Sequence, residues 1–365
     1  MSLVERHPVS WSVALLLTAA LPAAEAPAQS VVLKPKYTAG HTGYLELDEQ
    51  VTQTLRGGMF GPDGRKFDFR HLRGLAQKVE ASSPGEGAKL AMTFDRIQLQ
   101  SSFAGMGQSN SFDSDVDDPK DESNPLANAV GGMLGMTMRM EVDADGNVKS
   151  FSGMKEILAK MEEAAAGNPM FEQMVRRELR DDSARVEWGE KMMALFPNKE
   201  VKVGETWTRT LREPTQNVGE LIWEYHCKLE RLGVENGRQV AVVACDGTIR
   251  RASEEPAEAG PMGMKLEKLT GRFTGGGTFD VDRGEFVKQN QTTEMNIVMA
   301  GPGAAETQPA DPEAGKMKVD LASTRTVSVL SPAEREKQKG ENRRKAEEKK
   351  AQEKAEDEAP EEDED

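Results

Sequence analysis

The chain has 365 residues and a formal net charge of −15, with 37% apolar and 30% charged side chains. That charge repels nucleic acid and anionic lipid head groups, so the composition argues against a nucleic-acid role and nucleic acid is not an expected partner. With a leader and a charged tail set aside, roughly 300 residues remain, enough for one large domain with a real hydrophobic core.

Residues 1–28 read as a cleavable export signal: Arg6 precedes an apolar run from Trp11 to Leu21, and Ala26-Pro27-Ala28 supplies the small-residue end. The run is far shorter than the ~20 residues needed to cross a bilayer, and no cysteine follows it to take a lipid. The mature chain is expected to begin near Gln29, without a transmembrane segment, in the periplasm or outside the cell.

Period-two alternation dominates the chain beyond the signal, in blocks separated by glycine-bearing turns, which predicts a body of mostly antiparallel sheet. Lys66 to Ser82 and Lys89 to Ser101 flank Ser83-Pro84-Gly85-Glu86-Gly87, a hairpin loop in which proline presets one backbone angle and glycine accepts the positive one. Asp113, Asp115 and Asp117 then alternate in an acidic stretch and resemble the start of a calcium loop. Asp118 stands at the sixth position where the sharp turn needs glycine, and Asn124 at the twelfth where a bidentate glutamate belongs, so a mobile solvated loop is the favoured reading.

Met136 to Val142 and Val148 to Phe151 flank a second turn, with Met136, Met138 and Met140 on one strand face. A helical insert over 152–196 comes next. Met154, Ile157, Leu158 and Met161 recur at helical spacing up to Gly167, Asn168 and Pro169 open a second helix with Phe171 to Leu179, and a third carries Trp188, Met192 and Leu195. Core packing is the favoured role for the methionines. The sharper readings are a lipophilic pocket walled by Met136, Met138, Met140, Ile157 and Met161, or a copper(I) face on the Met-x-Met-x-Met strand.

Cys227 shares a strand face with Trp223 and Tyr225, and Gln239 to Ile249 forms the partner strand. Treating Glu235-Asn236-Gly237 as a three-residue loop pairs Val234 with Arg238 and sets Cys227 opposite Cys245, within disulfide range; a bulge near Arg231 would spoil the count. A disulfide is expected, with two buried free thiols as the alternative. Thr278 to Val281 and Glu285 to Met299 make another hairpin, and Lys316 to Val329 the last strand. Residues 331–365 carry almost only charge and read as a disordered tail with transient helix.

Motifs of catalysis do not appear. His41, His71 and His226 are widely spaced and read as strand-surface or turn residues, and Ser152-Gly153-Met154-Lys155 lacks the companion motifs of serine–lysine enzymes, leaving Ser152 as a helix cap. No cofactor is expected. The opening strand Tyr44 to Gln53, the run Phe112-Asp113-Ser114-Asp115 leading to Asn124-Pro125-Leu126, the turn Val142 to Val148 before Ser152-Gly153, Val203-Gly204-Glu205-Thr206-Trp207 and the closing Phe279 to Gly284 hairpin together resemble the bacterial exported family DUF6263. The resemblance covers most of 31–330, leaves the tail outside, and implies an extracytoplasmic β-rich domain with no assigned activity.

The expected architecture is therefore α+β and mainly antiparallel. It has one domain over 29–330, a curved meander or half-barrel sheet with a three-helix insert packed on it. The expected function is non-enzymatic binding of a hydrophobic or envelope-associated ligand between insert and sheet. The second reading is an interaction protein that docks an envelope partner through sheet edges and the tail, and a third is a hydrolase built from converging carboxylates.

Overall fold

The computed structural model describes residues 30–83, 85–103, 109–121, 123–164, 184–215, 219–253, 265–301 and 315–357. The expected export signal and the expected second helix of the insert, Asn168 to Leu179, lie outside the described residues. Strands run β1 (Ser30–Val32), β2 (Thr42–Gly57), β3 (Arg65–Ser83), β4 (Gly87–Phe103), β5 (Ser109–Asp113), β6 (Thr137–Val142), β7 (Val148–Ser152), β8 (Glu200–Lys202), β9 (Thr206–Thr215), β10 (Gly219–Glu235), β11 (Arg238–Arg251), β12 (Lys265–Asp280), β13 (Glu285–Ala300) and β14 (Lys316–Leu330). Helices are α1 (Pro125–Val130), α2 (Met154–Ala164), α3, which is π-helical over Val186–Glu190 and α-helical over Lys191–Met193, and α4 (Pro332–Asp357).

Among the described residues, twelve strands form one antiparallel sheet in the order β7, β6, β4, β3, β2, β14, β13, β12, β11, β10, β9, with β5 also on β4; β1 and β8 pair apart from it. Two meanders thus meet where the last strand, β14, pairs with the first long one, β2, and the sheet stays open between β7 and β9. The fold is α+β, as the alternation implies.

The sheet has to curl. Arg73 of β3 stacks on Trp188 of α3 at 4.6 Å, while Lys191, one turn further along α3, pairs with Glu213 of β9 at 3.1 Å. β3 and β9 lie seven steps apart in the sheet order, about 34 Å if flat at ~4.8 Å per step. Both reach the same helical turn only because the sheet wraps around α3 as an axis. Its concave side holds two apolar clusters. One is built on Leu47, Leu75, Phe94, Met138, Ile157 and Trp188, the other on Leu33, Phe196, Trp223, Phe273 and Phe279.

Cys227 and Cys245 are disulfide-bonded, with Cα atoms 4.1 Å apart, though the expected register is reached by a different route. The turn is two residues, not three: Glu235 pairs with Arg238 around Asn236 and Gly237, whose φ values of 52° and 78° suit a type I′ turn. The bulge between Leu229 and Arg231 then shifts the count back by one and restores Cys227 opposite Cys245.

The outer face departs most from expectation. The tail is not disordered over Pro332–Asp357 but forms α4. Ser331 and Glu334 make a reciprocal capping box, the serine hydroxyl accepting from the Glu334 N–H at 3.2 Å and the carboxylate accepting from the Ser331 N–H at 2.7 Å. Arg335, 3% exposed, donates to both oxygens of Asp115 at 2.9 and 2.6 Å and to Asp95 at 2.9 Å, and Asn342 adds a bond to Asp115 at 2.8 Å. One buried guanidinium therefore supplies what the tail lacks in apolar surface. The acidic segment is correspondingly not a mobile solvated loop: Asp113 pairs with Arg96 at 2.8 Å, Asp115 is buried, and Asp117 accepts the Asp113 N–H at 2.8 Å. The carboxylates that resemble calcium ligands are engaged by arginines and the turn.

Alkylation of the unfolded chain should add no label before reduction and two after it; two labels without reductant would contradict the cystine, which closes a short loop and contributes about 3 kcal/mol. Arg335→Ala leaves Asp115 buried with Arg96 as its remaining cation and should cost about 3 kcal/mol in urea unfolding. It should also speed amide exchange over 332–343, whereas unchanged exchange there would refute the clamp.

Candidate functional site

α3 places charge on the concave side of the sheet. Glu187 accepts from Arg325 of β14 at 2.8 Å and from Lys191 at 2.9 Å, and Lys191 also reaches Glu213 while its ammonium sits 4.2 Å from the centre of the Trp223 ring. The Trp223 indole N–H donates to Glu213 at 2.7 Å, and nearby His71 shares a hydrogen bond of 2.7 Å with Glu49. Burial alone would push the Glu187 carboxyl up, but Arg325, Lys191 and Arg73 overcome that and hold it well below the usual carboxylate range. Burial likewise works against the Lys191 ammonium, and Glu187 with Glu213 reverses it, so Lys191 stays charged. The cluster is a fully paired set of charges that fixes α3 against both halves of the sheet. Its groups bind one another, and among the described residues no group of three or more His, Cys, Asp or Glu side chains converges as metal ligands would.

Beyond this cluster the concave face opens into a cavity of about 270 Å³. Its apolar wall comes from Leu45 of β2, Val79 of β3, Phe286 of β13 and Val329 of β14 on the sheet side, and from Met192, Met193 and Phe196 of the insert. The lip is the segment 35–41, laid along the β12–β13 turn: the Lys36 N–H donates to the Gly284 carbonyl at 3.0 Å and its ammonium to the Val281 carbonyl at 2.8 Å. Polar groups gather at that lip. Burial raises the Glu285 carboxyl, which is ion-paired with Arg283, and His41 faces the same space. The Tyr37 hydroxyl is shut off from solvent and has no hydrogen-bond partner among the described residues, and burial raises its pKa, with Asp143 adding to the effect.

The expected pocket residues lie elsewhere. Met138, Met140, Ile157 and Met161 are buried in the first core cluster and Met136 packs against it, so they fill the interior between β6, β4 and α2 and do not line this cavity. The placement is the core packing that their periodicity favours. Met192 and Met193, further along the insert, are the methionines that face the opening. His41, read as a turn histidine, lines the cavity, and His71 belongs to the axial cluster. Sequence reasoning missed Glu187 and Lys191; their i, i+4 spacing on either side of the inward-facing Trp188 was the available signal.

A family model described as "Family of unknown function (DUF6263)" matches residues 86–285. No curated protein matches the sequence. Among solved structures the chain is similar to lipovitellin, in a study of its lipid–protein interactions, at 10% identity and a TM-score of 0.39 over 81% of this chain and 26% of that one. It is also similar to the COG4313 outer membrane channel from Pseudomonas putida F1, at 8% identity and a TM-score of 0.21 over 81% and 97% of the two chains. The chain thus spans about a quarter of the lipovitellin chain. Among the described residues no helix is long and apolar enough to cross a membrane.

If Glu187 anchors the axial helix, Glu187→Gln should cost about 3 kcal/mol, because Arg325 and Lys191 lose their shared counter-charge. The Glu187 pKa is lowered on folding, so its contribution is complete above the ordinary value of 4.5 and is lost as pH falls below it toward the folded value. The stability gap between wild type and variant should accordingly narrow on acidification; a gap that is constant from pH 7 to pH 3 would contradict this role.

Proposed function

Because this chain belongs to the DUF6263 family of unknown function, membership brings no activity with it, and we propose from the geometry that it binds a small, largely apolar ligand. The observation that carries the reading is the cavity of about 270 Å³ between the insert and the concave face, apolar along its wall and polar at its lip. Such a space takes the apolar body of an amphipathic molecule against Leu45, Val79, Phe196 and Phe286 and leaves its polar end beside His41, Arg283 and Glu285. Binding is non-enzymatic in this reading: the charged groups of the axial cluster are satisfied by one another, and those of the lip border an apolar space. Export through the signal at 1–28 accords with the cystine, which needs an oxidising compartment to form and persist.

A second reading, docking of an envelope protein, is favoured by the open sheet ends at β7 and β9 and by the charged outer half of α4. The two readings separate in one titration. An environment-sensitive lipophilic fluorophore added to the full protein should bind at one site and be displaced by medium-chain amphiphiles. Val329→Phe, which fills the cavity from β14, should weaken it at least tenfold while the far-ultraviolet circular dichroism is unchanged. Fluorophore binding that is indifferent to Val329→Phe would place it on the surface and move the weight to docking.

A further inference from the structure

On the sheet side of α3 lies a second, much smaller void of about 30 Å³, enough to admit a water-sized occupant. Tyr225 of β10, Arg325 of β14, Lys191 of α3 and Gln291 of β13 line it, and Gly275 and Gly276 of β12 close it with bare backbone. The Tyr225 side chain is 2% exposed, and its hydroxyl has no hydrogen-bond partner among the described residues. A fully buried hydroxyl without a partner costs about 1–3 kcal/mol, so an acceptor placed in this void stabilises the fold.

The charges around it choose the occupant's sign. The charged groups that line the void are Lys191 and Arg325, both cations, whereas their counter-charges Glu187 and Glu213 are not among its walls. An ammonium has three donors, and the two carboxylates account for two of those of Lys191. Burial raises the Tyr225 pKa to about 12; Lys191 and Arg325 pull it down, and Glu187 and Glu213 offset them in smaller measure, so the phenol is neutral at physiological pH and is available as a donor. Donors and positive potential converge on this small space, and no carboxylate is among its described walls.

We propose that this void is a site for a single halide ion, chloride in the protein's natural setting, held by the Tyr225 hydroxyl, the Lys191 ammonium and the Arg325 guanidinium. The ion links β10, β14 and α3 at the level where the axial helix meets the sheet, and it makes the closed arrangement of the two halves dependent on the halide content of the medium. The site stands apart from the ligand cavity and does not depend on that cavity's function.

Crystals of the full protein soaked in sodium bromide test the site directly, because bromide scatters anomalously and water does not. An anomalous peak in the void beside the Tyr225 hydroxyl is expected; density there that refines as water, with no anomalous signal, overturns the proposal. In solution, thermal unfolding in sodium chloride should occur several degrees above that in sodium gluconate at the same ionic strength, and Tyr225→Phe should abolish the difference. Identical midpoints in the two salts, or a difference that survives Tyr225→Phe, would equally overturn it.

Discussion

The charge cluster on α3 is the constraint from which the rest of the architecture takes its shape. Glu187 binds Arg325 and Lys191, Lys191 binds Glu213, and Trp188 lies under Arg73, so one helical turn is tied to β3, β9 and β14 at once. An antiparallel sheet of this width twists but has no intrinsic reason to close on a particular radius. Three charged contacts to a single axis set that radius. Desolvating these groups is expensive, and each is matched by an opposite charge, so displacement of α3 would leave several buried charges without partners together.

On the concave side, α3 divides the interior, with a sealed core toward β6 and α2 and an open cavity toward the β12–β13 turn. On the convex side, Arg335 repeats the device at smaller scale, with one guanidinium holding α4 against Asp115 and Asp95. The Tyr44 ring lies flat below that guanidinium because position 74 is glycine; a Cβ there would fall 1.8 Å from the tyrosine oxygen. Buried arginines and carboxylates, more than apolar surface, decide where the helices sit.

The strands were legible because alternation and turn chemistry are local. Ser83 to Gly87, Asp143 to Asn147 and Asp282 to Gly284 each mark a hairpin that the structure contains. The cystine was legible for a subtler reason: a turn one residue shorter than expected and a bulge at Leu229/Arg231 offset each other, so the pairing came out right although the register near the turn did not. The long-range ion pairs were not legible. Nothing adjacent to Arg325 or Arg335 announces a partner 138 or 220 residues away, and a charge-rich tail looks the same whether or not one of its arginines is buried. Helical and strand spacing places Met138, Met140, Ile157 and Met161 on buried faces, which they occupy, but it does not find the cavity beside Met192 and Met193, because periodicity shows which face is buried and not whether that face is sealed.

The most direct test of ligand binding is native mass spectrometry of the protein purified without detergent from its natural source, followed by organic extraction. A stoichiometric lipophilic adduct, released by the solvent and absent from the Val329→Phe variant, is the predicted result. A clean apo mass for wild-type protein from that source would contradict the binding account and leave the strand edges and α4 as the working surfaces.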